Sequence, residues 1–594
     1  MTSLDALWEP LTIGKLKIKN RVMTSAHSLA YGEDHILSDR HIAYYRERAA
    51  GGVGLLISEQ HAAHPLSTGS FVNCITAYED RAIPQLEKLA TALTEFDCGF
   101  FVELFTTGVQ DKGAMLSPWH ELWGPSAIPS PIHNEIPHVA SKREIASLVD
   151  GYAVSAKNVL RSGLSGIELH GAHSYGIAQF LSPFYNQRTD EYGGSIRNRC
   201  RFAIEIAEAV RDAVGEFPVG IRLSWDEFAG EAGITGEQSE EIIDILADTE
   251  LFDFFDISGG NYHNLHWVVA PMSVDDGFMI PFGQRAKAVV GDRAKVFIVG
   301  RIRHLEMAAT IVENGWADMV CMTRAHIADP ELVNKAREGR QADTSICVGA
   351  NECILRNFQQ RDIACLVNPI TGREQEWGGG IKRYSADLKK DLVVIGGGPA
   401  GMKAAAVAGR RGHRVTLFEK ESEIGGHIRL LAQLPTRTRW NAAIDNLLSE
   451  MDRGNVNIST EVEITKELLR DHNPDAIICA TGSEWESTGF SASRPDRSTL
   501  PGHEQQNVIP IDIAINRFLE GSENLGDQVL IVDDTGEYLP FGLAELLIDA
   551  GVAVEIVCPK AIVGENVAGA MEGGHAFPRL EGKGVVMTAN AFVE

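Results

Sequence analysis

Short apolar runs alternate with longer amphipathic stretches from residue 20 to about residue 335. The longer stretches, such as REIASLVDGYAVSAKNVLRSG, place apolar residues at helical spacing, whereas the short runs are rich in β-branched and aromatic residues. Eight of these runs are predicted strands: RVMTSA, VGLLIS, GFFVEL, GIELH, VGIRLS, FDFFDIS, KVFIVG and ADMVCM. Strands alternating with helices in this way predict a (β/α)8 TIM barrel for residues 1–335. An open doubly wound sheet is disfavoured because no glycine-rich turn follows the first strand.

A different pattern begins after a connector that we place at residues 336–390. The stretch DLVVIGGGPAGMKAAAVAGRRGHRVTLFEK is predicted to form a strand, a glycine-rich turn, a helix and a second strand. It contains G-x-G-x-x-G at Gly396, Gly398 and Gly401, and Glu419 ends the second strand. Glycines let the backbone approach a pyrophosphate at a helix N-terminus, and the acid accepts from a ribose hydroxyl. This stretch is therefore predicted to bind a dinucleotide.

The first Rossmann-like domain is expected to span residues 391–500, and a second, degenerate one residues 501–594. The stretch DQVLIVDDTGEYLPFGLAELLIDAGVAVEIVCP again supplies a strand, a helix and a strand, but its turn carries Asp533 and Asp534 in place of glycines. Two carboxylates where a pyrophosphate would lie repel it. The second domain is therefore not expected to bind NAD(P)H in the usual way. A packing role is favoured, and the chain as a whole is of the α/β class.

The composition is that of an ordinary globular protein, with 44% hydrophobic and 23% charged residues among 594. The formal net charge of −27 disfavours nucleic acid and anionic membrane surfaces as partners, because both repel such a field. No apolar run approaches the ~20 residues of a membrane span, and the start lacks a signal-peptide pattern, so a cytoplasmic protein is expected. In a reducing compartment, the clustered Cys347, Cys353 and Cys365 indicate metal or redox chemistry rather than disulfides.

The segment HGAHSYGIAQF concentrates polar chemistry at the end of the fourth predicted strand. His170 ends the strand, and His173 and Tyr175 lie on the loop that follows. Because TIM barrels place function at the C-terminal ends of their strands, these three residues are expected at the barrel mouth. They either close a strand end or form a pocket that grips and protonates a substrate.

Taken together, these motifs resemble the multidomain old yellow enzyme family, which includes 2,4-dienoyl-CoA reductase, enoate reductases and trimethylamine dehydrogenase. The resemblance covers nearly the whole chain and is carried by LWEPLTIGKLKIKNRVM, YYRERAAGGVGLLISE, QFLSPFYNQRTDEYGGSIRNRCRF and RAHIADPELVNKAREG. It implies FMN at the barrel mouth, an iron–sulfur cluster beside it, and FAD or ADP in the first Rossmann-like domain. The chain is then expected to be a flavin-dependent oxidoreductase with a small-molecule substrate, and a homo-oligomer.

The resemblance also assigns residues to FMN. Ser25 and Ala26 would lie against the flavin, and Arg222 would place positive charge near its N1 and O2 atoms. The phosphate would be held by residues that follow strands seven and eight: Gly300, Arg301, Thr323 and Arg324. For each arginine the alternative is a surface ion pair.

Three positions depart from the family pattern. Glu103 stands where a glutamine usually bonds the flavin pyrimidine, and a carboxylate can only accept. Ser28 replaces the cysteine that attaches FMN in trimethylamine dehydrogenase, so non-covalent FMN is expected. Ala350 takes the place of one cluster cysteine, which leaves three thiolates for a 4Fe-4S or 3Fe-4S cluster. The alternative is a vestigial connector that holds no cluster.

In ene-reductase members of the family, a His-x-x-His pair holds the substrate carbonyl and a nearby tyrosine protonates the α-carbon. The resemblance carries these roles to His170, His173 and Tyr175. It implies hydride transfer at a C=C conjugated to a carbonyl, as in an enone, an enoate or an enoyl-CoA, in either direction.

The alternative activity is that of an amine dehydrogenase or N-demethylase, which passes electrons through the cluster to an electron-transfer flavoprotein. The aromatic residues that surround the substrate in trimethylamine dehydrogenase are poorly matched in this sequence. Gln60 and Asn357 occupy two of the corresponding positions, and only Trp267 is a candidate aromatic residue. The altered nucleotide turn fits this alternative, since these dehydrogenases do not use NAD(P)H. A non-catalytic scaffold is a third possibility, against which the intact FMN residues argue. Compared with the family, a truncated C-terminus is expected.

Overall fold

The computed structural model describes residues 3–68, 73–113, 119–380, 388–521 and 525–594. Two compact units divide the chain. The first contains Met1–Ala270, Val274–Thr344 and Glu352–Gly378, and the second contains Pro271–Ser273, Ser345–Asn351 and Gly379–Glu594. Parts of the expected connector at residues 336–390 therefore fall in each unit, and its residues 381–387 lie outside the described part.

Eight parallel strands close into a barrel in the first unit. In chain order they are β1 (Val22–Thr24), β2 (Leu55–Ala62), β3 (Gly99–Phe105), β4 (Gly166–Gly171), β5 (Val219–Ser224), β6 (Phe254–Ser258), β7 (Lys295–Ile298) and β8 (Met319–Cys321). Each strand pairs with the next, and β8 pairs with β1 to close the ring. The predicted TIM barrel is confirmed.

Amphipathic helices follow the strands and cover the barrel. The main ones are Asp39–Ala50, Ile83–Leu93, Lys142–Arg161, Arg201–Val214, Gly236–Ala247, Ile280–Val290, Leu305–Glu313 and Leu332–Arg337. Lys142–Arg161 begins with a capping box, in which Ser141 and Glu144 each accept from the other's backbone N–H. It buries Ile145, Leu148 and Tyr152 on one face. Neither this helix nor any other in the described part is long and apolar enough to cross a membrane.

Inside the barrel, stacked aromatic rings support charged side chains at the mouth. Phe254 lies between Phe101 and Phe297, at ring-centroid distances of 5.5 Å and 4.6 Å. Gly166 and Gly220 make room for the rings, since a Cβ at these positions would lie 2.5 Å and 2.3 Å from ring atoms. Inward positions on a strand recur every second residue. The next inward residues towards the C-terminal strand ends are charged: Glu103, Glu168, Arg222 and Asp256.

The second unit contains two parallel sheets. The first has the strand order Asn457–Ser459, Arg414–Phe418, Asp391–Ile395 and Ala476–Cys479, with helices Pro399–Arg410 and Asn441–Arg453. The second has the order Gln528–Val532, Ala553–Val557 and Val586–Thr588, with helices Ile511–Glu520, Tyr538–Asp549 and Gly573–Lys583. In both sheets a helix connects the strand that comes first along the chain to its parallel neighbour, as the βαβ pattern predicts: Asp391–Ile395 to Arg414–Phe418, and Gln528–Val532 to Ala553–Val557.

Candidate active site

The charged layer at the barrel mouth is built from the adjacent strands β3 to β6. His170 is the penultimate residue of β4, and its register partner on β5 is Arg222. Nδ1 of His170 lies 3.5 Å from Oε2 of Glu103, and Nη1 of Arg222 lies 3.8 Å from the same oxygen. Nε of Arg222 lies 3.7 Å from Oδ2 of Asp256. The structure therefore brings three predicted site residues, His170, Arg222 and Glu103, into one buried layer.

Glu168 and Asp256 also belong to this layer, although neither is among the predicted site residues. Glu168 is the register partner of Glu103, and Asp256 is that of Arg222. Both carboxyl side chains are fully buried. The signal was present in the sequence, because each is an acid within an otherwise apolar strand, in GIELH and FFDIS. Such an acid at an inward position requires a partner.

Burial sets the protonation of this layer. It raises the pKa of Glu103 to about 7, with Arg222 opposing the rise. It also raises the pKa of Glu168 well above its usual range, and the charges of Asp256 and Glu103 add to that rise. The pKa of Asp256 is raised by burial, again against the effect of Arg222. One guanidinium thus faces three carboxyl groups, so much of its positive charge is balanced within the layer.

The loop after β4 places His173 and Tyr175 beside His170. His173 and the residue after it have left-handed backbones, with φ of 58° and 59°. Such strain in residues other than glycine is typical of functional sites. The backbone N–H of His173 donates to Oγ of Ser224 at 3.0 Å, and its Nε2 lies 2.8 Å from Oγ of Ser258. The His170 ring lies 5.1 Å from that of His173 and 4.9 Å from that of Tyr175, so the three predicted residues form one cluster.

The protonation states of this cluster follow from its burial. The Tyr175 hydroxyl lies 2.8 Å from the hydroxyl of Tyr262, which is not among the predicted site residues. Burial raises the pKa of Tyr175 well above its usual range, so the phenol keeps its proton. Burial lowers the pKa of His170 and of His173 well below the usual range. Each imidazole is therefore neutral at pH 7 and has one N–H to donate.

The residues predicted to contact flavin lie around the end of β1. The N–H of Ser25 donates to Oγ1 of Thr323 at 2.9 Å, and the carbonyl oxygen of Ala26 accepts from Nη1 of Arg222 at 3.3 Å. Two buried atoms beside them, Nε of Arg222 and Oε2 of Glu103, have no hydrogen-bond partner among the described residues. An unsatisfied donor and acceptor in a buried layer suit the polar edge of a ring system such as flavin.

The predicted phosphate residues gather after β7 and β8. Gly300 has φ 119°, and a Cβ there would lie 2.6 Å from Cβ of Met279, so this position requires glycine. Arg301 and Arg324 both donate to the carbonyl oxygen of Ala270, at 3.1 Å and 2.7 Å. Two guanidinium groups that converge on one point concentrate N–H donors there, which suits a phosphate dianion. Arg301 also forms an ion pair with Asp276 at 3.2 Å, so part of its charge is balanced within the protein.

The glycine-rich turn of the second unit uses its glycines for two purposes. Gly396 has φ 106°, and a Cβ there would lie 2.2 Å from the carbonyl oxygen of Ala480. A Cβ at Gly401 would lie 1.9 Å from the carbonyl oxygen of Gly396. Gly398 is different, because it caps the helix Pro399–Arg410 and a Cβ there would meet no atom within 4 Å. This open space at a helix N-terminus suits a pyrophosphate.

The two Rossmann-like turns differ in what their N–H groups bind. In the first, Oε2 of Glu419 accepts from the N–H of Gly397 at 2.6 Å, next to the open helix N-terminus. In the second, Oδ1 of Asp533 accepts from the N–H groups of Thr535 and Gly536, both at 2.9 Å. The protein's own carboxylate thus takes the donors that would serve an external anion, which supports the expectation that this turn does not bind a pyrophosphate.

The clustered cysteines are divided between the two units. Cys347 belongs to the second, Cys353 and Cys365 belong to the first, and all three are half-buried. Within the part of the chain that the structure describes, no group of three or more His, Cys, Asp or Glu side chains is arranged to hold a metal ion. Thiolates suit iron–sulfur chemistry, and the cluster stays a prediction.

The chain is similar in sequence to known families and proteins. Residues 6–343 match the NADH:flavin oxidoreductase / NADH oxidase family, and residues 391–468 match the FAD dependent oxidoreductase family. An N,N-dimethylglycine/sarcosine dehydrogenase of Chromohalobacter salexigens is 35% identical, with 99% of this chain and 84% of the relative covered. An NADH oxidase of Thermoanaerobacter brockii is 36% identical, with 86% of this chain and 76% of the relative covered.

A solved structure extends the similarity to the whole fold. The complex of a 2-naphthoyl-CoA reductase with 2-naphthoyl-CoA superimposes with a TM-score of 0.88 at 27% identity, covering 100% of this chain and 88% of that one. The predicted resemblance to the old yellow enzyme family is confirmed. The chain belongs to the NADH:flavin oxidoreductase / NADH oxidase family and is a flavin-dependent oxidoreductase.

Proposed function

We propose that the protein transfers hydride at a C=C conjugated to a carbonyl, with His170 and His173 holding the carbonyl oxygen and Tyr175 supplying a proton. The observation that carries this proposal is the buried cluster of the three side chains at the end of β4, with ring centroids 5.1 Å and 4.9 Å from His170. Neutral imidazoles donate directional hydrogen bonds, and an oxyanion donor of this kind is typically worth ~3–4 kcal/mol.

Each residue of the cluster has one task. His170 and His173 donate to the substrate oxygen as negative charge develops on it, and Ser258 orients the His173 ring through Nε2. Tyr175 gives its hydroxyl proton to the α-carbon, and Tyr262 is placed to return a proton to it. FMN, when bound at the barrel mouth, supplies or accepts the hydride. A 2-naphthoyl-CoA reductase among the structural relatives supports a conjugated acyl substrate.

Three sets of residues are proposed to hold the cofactors. Non-covalent FMN is held by the residues at the barrel mouth: Ser25, Ala26, Glu103, Arg222, Gly300, Arg301, Thr323 and Arg324. FAD or ADP is held by the first Rossmann-like turn: Gly396, Gly398, Gly401 and Glu419. The thiolates of Cys347, Cys353 and Cys365 are proposed to ligate an iron–sulfur cluster, which iron and acid-labile sulfide assays of the purified protein test, with Cys353→Ser as the comparison. The proposed domain boundaries are residues 1–335, 336–390, 391–500 and 501–594.

Anaerobic stopped-flow absorbance tests the reaction. The protein is mixed separately with NADH, with NADPH and with tertiary amines, and the reduced protein is then mixed with an enone. Reoxidation by the enone supports the proposal, and it should slow about 10²–10⁴-fold in Tyr175→Phe because the general acid is lost. Tyr262→Phe is the comparison, because it keeps the acid and removes the hydroxyl that returns a proton to it: a single reoxidation should not show the loss expected for Tyr175→Phe, whereas repeated turnover should slow. An unchanged rate in Tyr175→Phe would show that this tyrosine is not the proton donor.

A second candidate is oxidation of a secondary or tertiary amine, with electrons passed to an electron-transfer flavoprotein. Two observations favour it: the similarity to N,N-dimethylglycine/sarcosine dehydrogenase along nearly the whole chain, and the aromatic groups around Tyr262. The Tyr262 ring lies 5.5 Å from that of Tyr175 and 6.2 Å from that of His133. Bleaching of the flavin by an amine alone, with no reoxidation by enones, would establish this second function. A cytoplasmic homo-oligomer is proposed in either case.

A further inference from the structure

The charged layer of the barrel mouth contains more carboxyl groups than it can ionise. Glu103, Glu168 and Asp256 are buried together, and the cation between them is Arg222, whose nitrogens lie 3.8 Å and 3.7 Å from Glu103 and Asp256. Both oxygens of Glu168 and of Asp256, and Oε2 of Glu103, accept no hydrogen bond from an amide, alcohol or cationic donor in the described part of the chain. Three carboxylates facing one guanidinium in a low-dielectric interior are unfavourable unless a proton is retained.

The strand register decides where that proton is held. Glu103 on β3 and Glu168 on β4 are direct cross-strand partners with both side chains inward, so their carboxyl groups are neighbours in the buried layer. Asp256 is paired instead with Arg222. A carboxylic acid can donate to a carboxylate and so satisfies both groups, whereas two facing carboxylates repel each other. Of the two, Glu103 lies 3.8 Å from Nη1 of Arg222, which stabilises its ionised form, whereas burial and the charges of Asp256 and Glu103 raise the pKa of Glu168, so the proton is held on Glu168.

We propose that Glu168 is a positioning residue that stays protonated and donates its hydrogen bond to Glu103, and that Glu103 takes up one proton when negative charge arrives at the barrel mouth. The proton balance is one to one. A two-electron reductant brings one net negative charge to the site as a hydride, and the Glu103 carboxylate takes one proton from solvent and becomes a carboxylic acid. The proposal rests on FMN binding at the mouth and is independent of which substrate is reduced.

The other titratable groups near Glu103 and Glu168 keep their protonation states near neutral pH. Tyr175 lies beside His170 at the mouth, with ring centroids 4.9 Å apart, and burial raises its pKa, so it stays protonated. His170 lies 3.5 Å from Glu103 and is kept neutral by burial. Cys321 faces Arg222 and Asp256, and burial raises the pKa of its thiol. Glu103 lies within 3.8 Å of both His170 and Arg222 at the mouth, and burial raises its pKa to about 7, so it is the group that changes its charge.

The test is the pH dependence of the flavin midpoint potential, measured by dye equilibration without substrate. Each proton taken up with two electrons adds about 30 mV per pH unit to the slope. Above about pH 7, where Glu103 is ionised before reduction, the wild-type slope should exceed that of Glu103→Gln by this amount. Glu168→Gln should keep the wild-type slope, because the amide also donates to Glu103. Glu168→Leu, which removes the donor, should move the onset of the extra slope to higher pH.

Thermal unfolding against pH is a second readout and does not require the flavin. The pKa of Glu103 is raised in the folded protein, so its contribution to stability is present at low pH and is lost as the pH rises towards about 7. In Glu103→Gln, the thermal stability should therefore fall less between low pH and about pH 7. Glu227→Gln is the matched control, because it neutralises another buried acid whose pKa is raised to about 7 and which bonds to Asn261. It should alter the unfolding profile and leave the slope of the potential unchanged.

Two results would overturn the proposal. One is an unchanged slope of the potential in Glu103→Gln, whatever its unfolding profile. The other is a loss of the extra slope in Glu168→Gln, which would make Glu168 the titrating group. Failure of enone reduction alone would count against the proposed function and leave this inference standing, because neither readout uses a substrate. If Glu168→Leu does not fold, the two glutamine variants still decide the outcome.

Discussion

Gly398 offers a substitution that should separate nucleotide binding from folding. A Cβ at this position would meet no atom within 4 Å, and its backbone, with φ −74° and ψ 176°, is open to any residue. A Cβ at Gly401 would lie 1.9 Å from the carbonyl oxygen of Gly396, which is too close for any real contact. Alanine should therefore be accommodated at Gly398 and not at Gly401, although both glycines belong to the same motif.

The magnitudes follow from these contacts. Gly398→Ala should change the free energy of unfolding by no more than about 0.5 kcal/mol, as for an exposed site. Its methyl group points into the space at the helix N-terminus where a pyrophosphate would approach, and the resulting overpacking should cost about 1–3 kcal/mol of binding. That is a loss of affinity of roughly 5- to 150-fold. Gly401→Ala should instead destabilise the fold by about 1–3 kcal/mol, because backbone has to move.

Three measurements check this prediction. ADP binding is followed by calorimetry, the FAD or ADP released on denaturation is counted per polypeptide, and stability is followed by thermal unfolding. Gly401→Ala serves as the comparison in which folding and binding fall together. If Gly398→Ala bound ADP as tightly as the wild type, the pyrophosphate would not lie at this turn, and our account of the first Rossmann-like domain would be refuted.

Three further substitutions test buried charge. Glu374→Gln should cost about 3–5 kcal/mol in urea unfolding, because it leaves the buried guanidinium of Arg48, 3.1 Å away, without its carboxylate. Adding Arg48→Met should recover part of this loss, and full additivity would contradict the pairing. Asp533→Ala should lower the free energy of unfolding in urea by about 1–2 kcal/mol, because the carboxylate accepts hydrogen bonds from N–H groups of its own turn. An unchanged free energy of unfolding would mean that these hydrogen bonds do not stabilise the fold. Burial raises the pKa of Glu227 to about 7, so the folded wild type binds an extra proton and should lose roughly 3 kcal/mol of stability between about pH 4 and pH 8. In Glu227→Gln this loss should disappear. An unaltered unfolding profile would show that Glu227 is ionised in the folded protein.

The barrel was predictable because its signal is local. Strands such as GIELH and VGIRLS alternate with amphipathic helices, and the spacing of apolar residues reports each element without knowledge of the others. The positions of His170, His173 and Tyr175 followed from the same pattern, since a strand end in a barrel lies at its mouth. The roles of Glu168 and Asp256 were not predictable in this way, because the partner of an acid inside a short strand is known only when the strands are paired.

The sequence by itself determined the order of the elements, the inward faces of the strands and the glycine-rich turn at Gly396, all of which depend on neighbours within a few residues. Only the tertiary structure decided which inward side chains meet. Closure of the barrel fixes a register that sets Glu103 against Glu168 and Arg222 against Asp256. Tyr175 and its partner Tyr262 are 87 residues apart in the chain. Contacts of this kind depend on the pairing of whole strands, which no local periodicity records.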